Sequence, residues 1–196
     1  MAVAFVASIA GGLWLPRRVA RRARSERHQV LREFAAEFDW SIVALTASFA
    51  DAFPVPPLAG AWSAQSDLAI QGWAYGWAAT VALVSIRMHG MPRADQLALV
   101  SVLDPGPGRR EFVATHSLHG VHVVALTPGD GGHVANFDSV RDVLRASPDF
   151  ARGDSVALSD AQLAHVHPLR PGQKSLPVAG SVEMLARLAT VLAPAR

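Results

Sequence analysis

The first fifteen residues, MAVAFVASIAGGLWL, carry no charged side chain, and the seventeen that follow, PRRVARRARSERHQVLR, carry seven arginines against the single acid Glu26. An apolar run bordered by arginine is the pattern of a membrane segment with its cytoplasmic flank, because arginine resists translocation and is drawn to anionic lipid. It predicts a single-pass anchor over residues 1–16 in the plasma membrane or bacterial inner membrane, with the C-terminal domain in the cytoplasm. At about 1.5 Å per residue, fifteen residues reach roughly 22 Å of a hydrocarbon core about 30 Å thick. The shortfall is met by Pro16 and snorkelling Arg17 and Arg18, by local thinning of the bilayer, or by a start upstream of Met1. A cleavable signal peptide would put its basic region before the apolar run and end on small residues, and neither is found here. The alternative is a soluble protein whose N-terminal helix is buried in the core.

The arginine block divides the charge of the chain. Residues 1–32 sum to +6, while the 11 bases and 15 acids of the remainder leave −4. The high isoelectric point, 9.9, reflects arginine making up all but one of the basic residues, Lys174 being the exception. Arg17, Arg18, Arg21, Arg22, Arg24 and Arg27 are the candidate contacts to anionic headgroups. The block has no interleaved aromatics, which argues against nucleic acid as the partner. The chain contains no cysteine, which excludes disulfides, thiolate nucleophiles and cysteine metal sites.

Residues 17–38 read as a basic helical stalk, polar all round until Val30, where Val30, Phe34 and Phe38 begin an apolar stripe. Asp39-Trp40 ends it. Leu45, Phe49 and Phe53 at steps of four predict a helix over Ile42–Phe53, stopped by PVPP at Pro54–Pro57. Between Ser66 and Met88, Gly72 and Gly76 bracket a turn before a β-branched run, a candidate hairpin. Leu97–Asp104 is the next strand. REFVATHS and GVHVVALT on either side of Leu118-His119-Gly120 form a second hairpin. Asn136 predicts an N-cap for a helix to Ala146, Ser159 for a helix over DAQLAHVH, and Ser181 for a helix whose Val182, Leu185, Leu188 and Leu192 face the core and whose Arg187 does not. The sum is an α+β domain over 39–196, with a mostly antiparallel sheet of four or five strands flanked by helices.

The apolar segment, the arginine block, LREFAAEFDW, the turn Pro-Pro-Leu-Ala-Gly and the two-glycine segment before a Val-rich strand resemble a group of uncharacterised actinobacterial membrane-anchored proteins. The likeness covers Met1 to Leu126. This chain has Phe38-Asp39-Trp40 where that group more often has glycine before the tryptophan. The resemblance implies a membrane tether and a β-rich domain, and no activity.

The chain has eight histidines, and His116, His119 and His122 recur every third residue. In a hairpin turning at His119-Gly120, Ser117 pairs with His122, and His116 and His122 point to opposite faces, so the three do not ligate one ion. His165 and His167 have strand-like spacing for two ligands, yet precede Pro168 at an expected helix end, where histidine is favoured without any chemistry. No metal or cofactor is assigned on this basis. A metal-dependent hydrolase would need His116, His119, His122, His133, His165 or His167 to converge with an acid such as Glu111. PGPGRR, over Pro105–Arg110, reads as a turn. Arg152-Gly153-Asp154 matches an adhesion tripeptide by chance. Trp73, Tyr75 and Trp77 alternate and would share one face of an extended segment, making them the candidate contact surface for a protein or the membrane, with the edge of the core as the alternative. The sequence therefore predicts a membrane-tethered, non-catalytic binding domain.

Overall fold

A computed structural model of the chain describes residues 2–44, 61–88, 95–103, 112–125, 137–159, 162–170 and 172–192. Helix α1, Ala2–Glu37, runs unbroken through the apolar run, the arginine block and the amphipathic stretch. Ala23, Arg27, Leu31 and Ala35 are buried, and steps of four place them on one stripe. The helix is therefore packed on the domain from Ala23 onward, whereas the sequence suggested a stalk polar all round as far as Val30. Val30 itself is exposed. No helix among the described residues is long and apolar enough to cross a membrane.

The helix stops where expected. Phe38 N donates to Phe34 O at 3.1 Å and Trp40 N to Ala35 O at 2.8 Å, with Asp39 left-handed at φ +54 between them. This is the terminal geometry that glycine adopts without cost and aspartate tolerates.

Among the described residues eight strands follow: β1 Ser41–Val43, β2 Ala61–Ala74, β3 Trp77–Met88, β4 Asp95–Leu103, β5 Phe112–Ser117, β6 Gly120–Ala125, β7 Ser155–Ser159 and β8 Gln162–Leu169. They form one sheet in the order β1-β2-β3-β4-β8-β7-β5-β6, and every neighbouring pair is antiparallel. The α+β class and the antiparallel sheet are as expected, with more strands than the sequence suggested. Ile42 and Val43, placed at the start of a helix, instead pair with Ile70 and Ala69 of β2. The rest of that expected helix lies outside the described residues.

The first hairpin turns at Tyr75-Gly76, with φ of +52 and +80, the left-handed pair that matches strand twist in a two-residue turn. In β2 the register shifts between Ser66 and Leu68, leaving Asp67 as the extra residue of a bulge. Its carboxylate accepts from Ser85 Oγ at 2.8 Å and pairs with Arg24 of α1. The second hairpin turns at Leu118-His119, so that Ser117 pairs with Gly120 and His122 with Thr115. His116 and His122 still point to opposite faces, though in a different register from the one expected.

The largest departure is residues 155–169. QLAHVH, expected as helix, forms most of β8, and Asp160 and Ala161 of the same expected helix lie outside the described residues. β8 pairs with β4 on one side and with β7 on the other, and these ladders override the helix preference of Ala, Leu and Gln.

Helix α2 spans Asp138–Ala146 and follows Phe137, which supplies no side-chain cap; the expected cap, Asn136, lies outside the described residues. Helix α3 spans Val178–Leu192. Its Val182, Leu185 and Leu188 are buried and Leu192 packs against them, while Arg187 is exposed. Among the described residues these three helices contribute to one core cluster with Trp40, Ile70, Leu83, Phe112 and Leu163. A smaller cluster, built from Ala69, Ala82, Val84, Ile86, Ala157, Ala164 and Val166, occupies the opposite face of the sheet.

Candidate functional site

Because His165 and His167 are two apart on strand β8, they project to the same face, and Val166 between them joins the cluster on the other side. Both rings meet one carboxylate. Asp154 stands at the head of β7, after a turn in which Asp154 N donates to Ala151 O at 3.0 Å and Ala151 N returns a bond to Asp154 Oδ2 at 2.8 Å. Gly153 takes φ +98 there, a conformation open to glycine at little cost. The turn is braced to the end of β5 by His116 N to Asp154 O at 3.0 Å and Gly153 N to His116 O at 2.9 Å.

His165 Nε2 lies 3.0 Å from Asp154 Oδ2, and His167 Nδ1 lies 2.8 Å from Oδ1. The outer nitrogens are held as well. Ser181 Oγ, in the first turn of α3, is 2.9 Å from His165 Nδ1, and Gln173 Nε2 is 3.3 Å from His167 Nε2. Gln173 Oε1 accepts from Arg170 N at 3.2 Å, which leaves its amide nitrogen facing the ring. The network assigns the protons. An ionised Asp154 accepts from His165 Nε2–H and His167 Nδ1–H, and the two remaining ring nitrogens accept from Ser181 and Gln173.

Burial alone would raise the Asp154 carboxyl, but the hydrogen bonds and electrostatic pull of His165 and His167 together outweigh it and hold its pKa below the ordinary carboxylate value. Among the described residues no arginine or lysine is bonded to Asp154.

Asp154, His165 and Ser181 have the composition of a hydrolytic triad. Their exposures, 1%, 0% and 0%, leave no face of the serine for a substrate to approach, and a nucleophile must be reached by the atom it attacks. The cluster is an enclosed polar centre.

The side chains of the other candidate histidines among the described residues do not bond to it. His116 stacks on Phe150 and bonds Phe150 O through Nδ1 at 2.8 Å, His119 lies in the second hairpin turn and His122 is exposed on β6. His133 and Glu111 lie outside the described residues, as does the PGPGRR segment. Arg152 and Gly153 are exposed but Asp154 is buried, so the tripeptide is not presented as a recognition loop.

Of the proposed headgroup contacts, Arg21 and Arg22 are exposed, Arg22 bonding Glu26 at 3.0 Å. Arg24 pairs with Asp67. Arg27 is turned into the domain, where its guanidinium donates to Gln173 O and Arg170 O, both at 2.6 Å. The side chains of Arg17 and Arg18 lie outside the described residues.

The aromatic trio is divided by its own turn. Tyr75 occupies the turn, and Trp77 pairs with Ala74, so it takes the face opposite to Trp73. Trp73 is 74% exposed and Tyr75 63%, while Trp77 packs against the main core.

Sequence reasoning missed Asp154, Ser181 and Gln173. The alternate spacing of His165 and His167 was the available signal, and it was overridden by reading the segment as helix. No family model, no curated protein and no solved structure matches this chain.

Proposed function

We propose that this protein is a non-catalytic binding domain held at the cytoplasmic face of an anionic membrane by its N-terminal helix, and that the tip of the β2–β3 hairpin engages a protein partner. The observation that carries the partner surface is the exposure of Trp73 and Tyr75 at the end of two long paired strands. Large aromatics left in water on a rigid element are the kind of side chain that anchors interfaces. The resemblance of the first 126 residues to membrane-anchored proteins favours the same reading.

The packed stripe from Ala23 to Ala35 favours, for the second half of α1, the alternative in which the helix belongs to the core. The two readings divide the helix between them. Its uncharged start lies in the interfacial layer, Arg17, Arg18, Arg21 and Arg22 meet headgroups, and the docked half fixes the domain against the surface.

Vesicle flotation of the full chain tests the membrane part. It co-floats with vesicles containing anionic lipid, and Arg21→Glu with Arg22→Glu reduces the floated fraction. Failure to float with anionic vesicles overturns the tether. Crosslinking in native membranes tests the tip: a defined protein adduct is lost in Trp73→Ala/Tyr75→Ala, and an unchanged adduct pattern overturns the assignment of the surface.

A further inference from the structure

We propose that Asp154, His165 and His167 form a binding site for one divalent transition-metal ion of the zinc class. This inference stands independently of the membrane reading.

One ligand atom from each of the three residues lies within 4.8 Å of the others. Two imidazoles and a carboxylate form a nitrogen and oxygen set that suits zinc, cobalt(II) or iron(II) better than magnesium or calcium, which favour all-oxygen shells. The present N to O separations of 2.8 and 3.0 Å are hydrogen-bond lengths. Tetrahedral ligands at about 2.05 Å from zinc stand about 3.3 Å apart, so entry of an ion needs each ring to draw back from its own carboxylate oxygen by a few tenths of an ångström. His167, 15% exposed at its side chain, is the side from which an ion and a water ligand would enter.

The surroundings supply a second and independent reason. Histidines that bind metal hold their other ring nitrogen in a hydrogen bond that orients the ring, and both rings are held in this way, by Ser181 and by Gln173. The centre also carries one buried negative charge without a bonded lysine or arginine among the described residues, and a divalent ion compensates it.

Metal binding requires each ring to present a lone pair to the carboxylate side. The proton on His165 Nε2 moves to Nδ1 and donates to Ser181 Oγ. The proton on His167 Nδ1 moves to Nε2, and Gln173 turns its amide so that Oε1 accepts it, giving up both the bond from Arg170 N and the one that Nε2 donates to Ser175 O. The number of protons on the three residues does not change.

The test uses the full chain, stripped with a chelator and titrated with zinc and with cobalt(II). One ion per chain by elemental analysis, visible cobalt bands of four- or five-coordinate N/O ligation, and a rise in melting temperature are expected. His167→Gln, at the least buried ligand, abolishes these signals while keeping the native circular dichroism. Ser181→Ala weakens affinity on the order of 10- to 100-fold, and His122→Gln, at an exposed position of β6, leaves it unchanged. In nitrogen NMR of the imidazoles, zinc switches both tautomers. The proposal is overturned by no stoichiometric ion with an unchanged melting temperature, or by binding that survives in folded His167→Gln.

Discussion

The indole of Trp40 lies against the backbone of Gly72 so closely that no Cβ fits between them. The contact fastens the residue that ends α1 to the strand that carries the exposed hairpin tip. Gly72→Ala is expected to cost about 2–3 kcal/mol, the range for forcing a side chain into a filled space. Denaturant unfolding reads the loss. Because the cost arises from the ring, Gly72→Ala costs markedly less in a Trp40→Ala background; equal costs in both backgrounds would remove the explanation.

Asp39 sits at φ +54 between the last turn of α1 and Trp40. Asp39→Gly relieves the left-handed strain and is expected to stabilise the fold by about 0.5–1 kcal/mol, after allowance for glycine's greater freedom in the unfolded chain. An increase in melting temperature is the readout, and a decrease would mean that the carboxylate has a structural role beyond its backbone conformation.

Arg27 is a buried charge that donates to two main-chain carbonyls of the 170–173 segment, and burial lowers its pKa from the ordinary guanidinium value. Arg27→Met removes both charge-assisted bonds, leaving Gln173 O without this donor while Arg170 O keeps the bond from Gln173 N, an expected loss of about 2–3 kcal/mol. Arg27→Lys does not restore it, because one ammonium cannot reproduce the spread of the guanidinium donors. Thermal denaturation of the two variants beside the parent decides the matter.

His28 gives the fold an acid-sensitive limb. Burial is the main cause of its lowered pKa; Asp67 pulls the other way, and Arg24 and Arg32 add to the lowering. Its Nε2 is buried without a hydrogen-bond partner among the described residues. A folded pKa below the unfolded one means that the unfolded chain binds the proton more readily. The stabilising contribution is therefore complete above the ordinary value of 6.5 and is lost as pH falls through the lower folded value. Melting temperature against pH should fall less steeply in this window for His28→Gln than for the parent. Parallel curves would assign the acid sensitivity to other groups.

Elements with a local cause were readable in the sequence. The hairpin at Tyr75-Gly76 carries its turn chemistry in two adjacent residues, and the Val182, Leu185, Leu188 stripe is one turn of pattern after another. The strand β8 was not readable in this way, since Gln162–Leu169 is extended because β4 and β7 flank it, and nothing within the segment overrides its helical composition. Ser181 has the residue type of a cap but lies inside the first turn of α3, where its hydroxyl serves a ring on another element. The enclosed centre joins three separate segments, and only the spacing of its two histidines was visible beforehand. The burial of Ala23 was hidden for a related reason: alanine beside arginine carries too little hydrophobic signal to mark a packed stripe.

The position of β8 between β4 and β7 has a kinetic meaning. β4 finds its outer partner in the last strand of the chain, with residues 112–159 intervening, so the sheet cannot close in the order in which it is synthesised. On the ribosome, β1 to β4 emerge first with the open edge of β4 waiting for Gln162–Leu169. Such long-range pairing slows folding and leaves a strand edge exposed to other nascent chains. Truncation before Gln162 therefore removes the joint between the two halves of the sheet, and the yield of native protein depends on how quickly that late strand finds its place.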